Sequence, residues 1–550
     1  MRTSTAARIG WAILIVATLY VCYFSHLGAI GFVGPDEPRY AWIARDMAET
    51  RDWVTPRLYG KPWFEKPVLY YWGAALCFKL FGVSEAAARL PSAISALLAT
   101  LALAWLALRL YAAETARWLL LLLPTTVGMI GFSHAASTDM PFSGMLTIAM
   151  VCAAVVLGLT QNENTPILPR TPWLALILFG FFLGLAVLAK GPAAIILSGG
   201  AIFFWALFTK RWRDAFRLFH PAALASFCLT ALPWYILCAR RNPDFFRIFI
   251  IEHNFKRYLT PEFQHIQPFW YYGPILLLGL MPWTVLLLGD MRQEFGLLRT
   301  ALKSGSPATF FVCWIVFPIL FFTISKSKLP GYILSAIPPF VALLCRRIPQ
   351  RMRYGNWLTR WGNLALLGLV LVILGLGPLH GVYSLPDATD TPYMWLGAAL
   401  VILILGGVGI TVLGLLRRPR AGLLLSVLAI VSAILGLSRE HAWVLDGAVS
   451  TRLDAQLISK KYSDFSPDNV ALYKVHRTVE YQMNFYLHRE LPQWLPKSMR
   501  PNWVFTSHRE ERELELAGYK CDALWYASHS ACHRLALGSA DSVRGSGQSH

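Results

Sequence analysis

A chain of 550 residues that is 56% hydrophobic and only 15% charged, with a mean hydropathy of +0.47, lies outside the range of soluble globular proteins. Its formal net charge of +19 comes without a clustered basic tail, a zinc finger or a stacking-aromatic motif, so nucleic acid is excluded as a partner. The cations fit loops lying against anionic membrane lipid, and the chain reads as a polytopic membrane protein.

The first apolar run, Ile9 to Phe32, follows Arg2 and Arg8 and is long enough to span. No small-x-small cleavage site precedes Asp36, so the run is expected to be retained as a membrane helix and not removed as a signal peptide. Further runs of spanning length occur at 88–110, 116–132, 138–160, 172–189, 191–208, 220–239, 269–289, 308–324, 330–345, 362–380, 394–415 and 421–437, which makes about 13 transmembrane helices. The joints Ala189–Pro192 and Ser325–Pro330 are the shortest. With a cytoplasmic N-terminus, the inner loops hold Arg109 and Arg117, then Lys210, Arg211, Arg213 and Arg217, then Arg292, Arg299 and Lys303, then Arg346 to Arg360, then Arg417, Arg418 and Arg420. That alternation follows the positive-inside rule, and the odd count puts the C-terminus outside.

Two outer loops are long. In the first, 31–87, Tyr40, Ile43, Ala44 and Met47 share one face of a short helix, and "VLYYWGAALCFKLFG" is apolar but too short to span; both suit interfacial helices. The second, 240–268, runs into the aromatic belt "FWYY". From 439 the composition turns to mixed charge, with "VALYKV" and "NWVF" reading as strands and "RTVEYQMNFYLHR" as a helix. Residues 1–438 therefore read as the membrane domain, 439–536 as a small α/β domain outside the membrane, and the Gly/Ser-rich 537–550 as a disordered tail.

On this topology the outer side carries Arg39, Arg45, Arg57, Lys61, Lys66, Arg247, Lys256, Arg257, Lys326 and Lys328, against the positive-inside trend. Cations alternating with aromatics, as in "YGKPWFEKPVLYYW" and "SKSKLPGYIL", offer charge for a phosphate and apolar walls at headgroup level, which suits a lipid phosphate. Acids stand at matching depth: Asp36 after the first span, Glu65 in "FEKP", and Asp139 at the head of the fourth. Two aspartates at helix starts on one side of a membrane can converge on one cavity. Plainer readings stay open for each residue. Asp36 and Asp139 both precede a proline and occupy positions suited to helix N-caps. Lys66 and Glu65 can pair with each other in an exposed loop, and His253 and His265 can be structural.

The stretches "GPDEPRYAWIARDM", "LYGKPWFEKPVLYYW", "EHNFKRYL" with "HIQPFWYY", and "SKSKLPGYIL" together resemble the aminoarabinose lipid A transferases, within the protein O-mannosyltransferase-like GT-C glycosyltransferases. The resemblance spans most of the membrane domain; the C-terminal domain carries no motif that matches. It implies a GT-C fold and transfer of 4-amino-4-deoxy-L-arabinose from undecaprenyl phosphate to a phosphate of lipid A, at the periplasmic face of the bacterial inner membrane. It implies catalytic roles for Asp36 and Asp139 and substrate contacts for Arg39, Glu65, Lys66, Lys326, Lys328 and Tyr332. No cofactor is required, although a divalent metal held by Glu65, His253 and His265 stays open. The expected partners are the lipid-linked sugar donor, the lipid A acceptor and membrane lipid, with the protein itself a monomer. Two other readings compete: a protein O-mannosyltransferase, in which Asp36 would act as a base, and a lipid-linked sugar flippase without chemistry. A flippase would more often carry its charges at mid-membrane and show internal repeats.

Seven of the nine cysteines lie in the membrane part, and Cys521 and Cys532 in the last stretch. If that stretch is extracytoplasmic, the two are expected to form a disulfide closing a loop of about a dozen residues, worth about 3 kcal/mol in the chain-entropy model. A zinc site with His529 and His533 is the alternative, strained because Cys532 and His533 are adjacent.

Overall fold

The computed structural model describes residues 5–160, 172–259, 266–288, 306–354, 363–383, 391–436, 446–447, 449–462, 465–495, 501–524 and 529–534. His265 and the tail 537–550 lie outside them. The chain divides into two compact units: Met1–Leu27 with Ala44–Arg57 and Pro62–Ser438, and Gly28–Ile43 with Leu58–Lys61 and Arg439–His550. The second unit thus takes in the Asp36 segment, which the sequence places in the membrane domain's first outer loop.

The first unit is helical. Among the described residues, nine helices are long and apolar enough to cross a membrane: Thr5–Tyr23, Glu85–Leu110, Asp139–Val156, Trp173–Lys190, Pro221–Arg241, Pro307–Ile324, Pro330–Pro349, Ala398–Leu415 and Pro419–Gly436. The run predicted at 116–132 is two helices, Ala113–Leu122 and Val127–Ser133, bent by 60°. The run at 191–208 is the 17-residue helix Ala193–Thr209, and that at 269–289 is broken into Tyr272–Gly279 and Thr284–Leu288. Helices satisfy every backbone group within the segment, as a lipid environment requires. The Thr5–Tyr23 helix exposes Ile9, Ile13, Val16 and Tyr20 along one face, a lipid-facing stripe at helical spacing. The piece "VLYYWGAALCFKLFG" is indeed a short helix, Leu69–Phe81.

Small residues set how closely these helices approach, since hydrocarbon offers no hydrophobic drive for helices to associate. Gly180 and Gly184, one turn apart on Trp173–Lys190, face Pro221–Arg241. A Cβ at Gly180 would stand 2.1 Å from the Ala223 carbonyl oxygen, and one at Gly184 would stand 2.8 Å from Thr230 Cβ. Gly144 on Asp139–Val156 meets the Ser95 backbone in the same way, at 2.8 Å. The Asp139–Val156 helix is the most enclosed of the described spans, with 89% of its residues buried. Its sequence, "DMPFSGMLTIAMVCAAVV", carries one charged residue, at the very start.

The second unit holds a four-stranded sheet, with strands β1 (Val470–Tyr473), β2 (Trp503–Ser507), β3 (Tyr519–Ala523) and β4 (His529–Arg534) in the order β1-β2-β4-β3. β1 pairs parallel with β2, whereas β4 runs antiparallel to both β2 and β3. The antiparallel pairing of β3 with β4 agrees with the small hairpin that the aromatic and alternating residues between Cys521 and Cys532 suggest in the sequence. Helices Arg452–Lys461 and Arg477–Leu487 pack Ala455, Ile458, Val479, Met483 and Leu487 with Val470, Leu472, Trp503 and Phe505. Cys521 lies directly opposite Cys532 in the β3–β4 pairing, with Cα atoms 4.0 Å apart, and the two form a disulfide. The zinc alternative is thereby removed, since the thiolates it needs are consumed.

Two measurements check these contacts. Gly180→Leu is expected to destabilise the protein by about 2 kcal/mol or more through overpacking, read as a lowered unfolding temperature in detergent. Thiol titration of the denatured, unreduced protein should find the seven free cysteines and no more; nine would remove the disulfide.

Candidate active site

The candidate residues are divided between the two units. In the first unit, Asp139 opens the enclosed Asp139–Val156 helix. The residue before it, Thr138, makes no side-chain cap bond, and the Asp139 carboxylate is taken up by Lys190 Nζ, so the capping reading of Asp139 gives way to an ion pair. Lys190 ends the Trp173–Lys190 helix just before the Gly191-Pro192 break, and both side chains are largely buried. The Lys190 ammonium also stands 4.7 Å from the centre of the Tyr332 ring and 5.6 Å from that of Phe142, within range of cation–π attraction. Gly331, beside Tyr332, touches the acid: a Cβ there would come within 2.6 Å of the Asp139 carboxyl carbon. Any side chain at 331 would therefore displace the carboxylate.

Lys190 was not singled out in the sequence, where it appears as one residue in a short joint between two apolar runs. The signal was nevertheless present: on the predicted topology it is one more outer cation, and at the end of a hydrocarbon-length helix a lysine needs a partner. The pairing with Asp139, 51 residues away, could not be read.

Glu65 and Lys66 form an ion pair at 3.7 Å, with side chains only 12% and 13% exposed, so the exposed-loop reading is replaced by a partly desolvated pair. Phe64 beside them packs edge-on to Phe245, which in turn stacks on Phe249 in the segment read as the second outer loop. There Arg247–Lys256 forms a π-helical run that carries His253. Among the described residues, no three of His, Cys, Asp and Glu gather as a metal would require. His265, the third member of the expected metal set, lies outside the described residues, and no step is routed through a metal.

The two lysines of "SKSKLPGYIL" differ. Lys326 is exposed, with its backbone N–H donating to the Tyr258 carbonyl. Lys328 is buried and donates to the carbonyls of Ser325 at 2.8 Å and Gln267 at 3.2 Å. Burial, with the charge of Lys326 adding to it, pushes the Lys328 ammonium below the ordinary lysine range. Lys328 thus fastens the turn before Tyr332, whereas Lys326 keeps its head group accessible.

In the second unit, Asp36 is the first residue of the helix Asp36–Thr50, and its carboxylate takes the Arg39 guanidinium one turn on. Glu37, largely buried, reaches back to accept the Val33 N–H at 2.7 Å. That division of labour settles why two acids stand together at the helix start: the second satisfies backbone and the first holds a cation. Asp36 stays half exposed while Arg39 is buried. The Arg39 guanidinium lies 5.4 Å from the ring centre of Tyr481 and 5.6 Å from that of Tyr40. Tyr481, far along the chain, had no mark in the sequence.

Residues 9–249 match the family model described as dolichyl-phosphate-mannose-protein mannosyltransferase. A protein of Aeromonas salmonicida (strain A449), named undecaprenyl phosphate-alpha-4-amino-4-deoxy-L-arabinose arabinosyl transferase, is 32% identical over 386 residues, which cover 68% of this chain and 68% of that protein. A protein of the same name from Edwardsiella ictaluri (strain 93-146) is 32% identical over 443 residues, covering 80% of this chain and 72% of its own. The crystal structure of ArnT from Cupriavidus metallidurans bound to undecaprenyl phosphate shares the fold with a TM-score of 0.76 at 25% identity, over 96% of this chain and 98% of that one. With a membrane helical unit, a small sheet-bearing unit and paired charges at helix starts, and with alignments running over most of both lengths, the chain belongs to the undecaprenyl phosphate-alpha-4-amino-4-deoxy-L-arabinose arabinosyl transferase family of GT-C membrane glycosyltransferases.

Proposed function

We propose that this chain transfers 4-amino-4-deoxy-L-arabinose from undecaprenyl phosphate to a phosphate of lipid A, at the periplasmic face of the inner membrane, with its N-terminus cytoplasmic and its C-terminus periplasmic. The observation that carries the reading is the Asp139–Lys190 pair, held at the head of an enclosed helix over the Tyr332 ring. A buried carboxylate–ammonium pair of this kind is costly to keep for stability alone and suits the recognition of a charged substrate.

The chemistry needs little acid–base help. A lipid phosphate monoester is already an anion at neutral pH, so its oxygen can attack the anomeric carbon without a strong base. A carbon–oxygen bond forms to the acceptor phosphate, and the bond from the anomeric carbon to the undecaprenyl phosphate breaks, with the electron pair leaving on that phosphate. One monoester becomes a diester and one diester a monoester, so the bond made resembles the bond lost. The demands on the protein are to bring two anions together and to stabilise the departing one. Lys190, Arg39, Lys66 and Lys326 are suited to that by charge. Asp139 and Asp36 would orient those cations, pair with the ammonium of the sugar, and face positive charge growing at the anomeric carbon.

Mass spectrometry of lipid A from cells with and without the protein tests the function. An added amino-sugar that depends on the protein supports it; unchanged lipid A together with a protein-dependent mannose on a secreted protein would favour the O-mannosyltransferase reading, which the match over residues 9–249 keeps in view. Lipid A unchanged in isolated, donor-loaded membranes, with lipid-linked sugar still crossing them, would leave a flippase.

Two sets of variants test the residues. Asp139→Asn and Lys190→Met are each expected to lower kcat about 100-fold, and the double variant to lose no more than the worse single one because the two act as a unit. Losses that multiply would dissolve the pair. Asp36→Asn is expected to lose transfer at unchanged protein abundance, and Arg39→Lys to restore only part of what Arg39→Ala removes, since a planar guanidinium both stacks and bonds where an ammonium cannot do both.

A further inference from the structure

We infer that the C-terminal segment, which carries no motif of its own, is a positioning element for Asp36 and Arg39, and that Tyr481 is the positioning residue through which it reaches Arg39. The inference rests on the reading of Arg39 as a phosphate-binding cation. The structural basis lies wholly within the second unit, where Gly28, Ala29, Gly31 and Phe32, on the way to Asp36, are fastened by their backbone. Arg452 donates to the carbonyls of Gly28 at 3.0 Å and Ala29 at 2.8 Å. Asp446, fully buried, accepts the Gly31 N–H at 2.6 Å with one oxygen and the Arg452 guanidinium at 2.7 Å with the other. Gln482 donates to the Phe32 carbonyl at 2.7 Å, and Tyr486 accepts the Phe32 N–H at 2.8 Å. Gly31 has to be glycine here, because a Cβ would fall 2.2 Å from Ser450 Oγ.

A segment read as an outer loop is thereby held by charge-assisted bonds from residues more than 400 positions away. A buried Asp–Arg pair is a poor source of net stability, because desolvation of two charges offsets their attraction, but it fixes geometry. Four residues past the last of these ties, Asp36 starts its helix and, with Tyr481, encloses Arg39: the carboxylate takes the guanidinium's edge and the ring lies 5.4 Å from its carbon. Tyr481 and Gln482 are neighbours on the Arg477–Leu487 helix, so one helix contributes both the tie to Phe32 and the ring beside Arg39. The arrangement pre-orders a long, flexible arginine, which lowers the entropy lost when it meets a phosphate.

The test uses the full-length protein in detergent, with undecaprenyl phosphate as the binding probe, lipid A transfer as the activity, and thermal unfolding as the control for folding. Tyr481→Leu is expected to weaken undecaprenyl phosphate binding about fivefold and to lower kcat/KM by at least as much, at an unchanged unfolding temperature. Tyr481→Phe keeps the ring and is expected to bind within about twofold of the wild type. In an Arg39→Ala background, Tyr481→Leu should weaken binding no further. Asp446→Asn, which keeps an acceptor for the Gly31 N–H but not the charge for Arg452, should reproduce the loss in kcat/KM. Wild-type behaviour of Tyr481→Leu, equal damage by Phe and Leu, or a further loss in the Arg39→Ala background would each overturn the positioning role. If Arg39→Ala itself bound the probe and transferred sugar normally, the reading of Arg39 would fail instead, and the two failures are told apart by that single variant.

Discussion

A carboxylate that begins a membrane-buried helix has to be neutralised where it stands, and much of the helical unit can be understood from how Asp139 is treated. The Asp139–Val156 helix is enclosed along nearly all its length, so no water-facing side is available to the acid except at its own end. Lys190 supplies the counter-charge from the end of another span, and the Tyr332 and Phe142 rings attract the same ammonium. For the pair to form, three chain segments must converge: the start of one helix, the end of a second, and the 3₁₀ turn Pro330–Ala336 that brings Tyr332 and the side-chain-free Gly331 against the acid. The breaks after Lys190 and before Pro330 are therefore requirements of the site, because a continuous helix through either position would carry its residue past the meeting point.

The scaffold that holds those ends apart from lipid is built from small residues. Gly180, Gly184 and Gly144 sit where neighbouring helices approach closely, and close approach gives the dense van der Waals contact that membrane helices rely on. Rigidity follows. A cation that is to meet an anion gains from having its position fixed beforehand, since reorganisation on binding would cost part of the electrostatic stabilisation. Lys190, gripped by an acid and two rings, and Arg39, gripped by an acid and two rings, meet that condition in separate units by the same device. Lys328 shows the opposite use of a lysine: its head group is spent on two carbonyls, and the residue works as a fastener.

The sheet-bearing unit makes a related point about chain order. Two of its segments, Gly28–Ile43 and Leu58–Lys61, precede most of the membrane helices, and the third, Arg439–His550, follows the last of them. A buried aspartate, Asp446, and a glutamine, Gln482, satisfy backbone groups of that early segment, so Gly31 and Phe32 have partners for their peptide groups without belonging to any strand. The Cys521–Cys532 bond closes the other end of this unit, across the last two strands of its sheet.

Composition and hydrophobic run length by themselves determined that the chain is a polytopic helical membrane protein, because a segment's hydropathy is a sum over neighbours in sequence and needs no knowledge of distant contacts. The same holds for the break into a small α/β region, and for Asp36, Arg39, Glu65, Lys66 and Asp139 as candidates, since isolated charges next to spans are conspicuous locally. Pairing was another matter. That Asp36 goes to Arg39 is an i,i+3 contact and was within reach of helical periodicity, yet the capping alternative could not be dismissed until Glu37 was found to satisfy Val33. That Asp139 goes to Lys190, that Lys328 turns inward while Lys326 does not, and that Tyr481, Gln482, Asp446 and Arg452 converge on the Gly28–Arg39 stretch were decided only by the tertiary structure. The reason is physical: these partners are separated by tens to hundreds of residues, and what brings them together is the packing of helices and strands, whose choice among many possible neighbours is not written in either partner's local sequence.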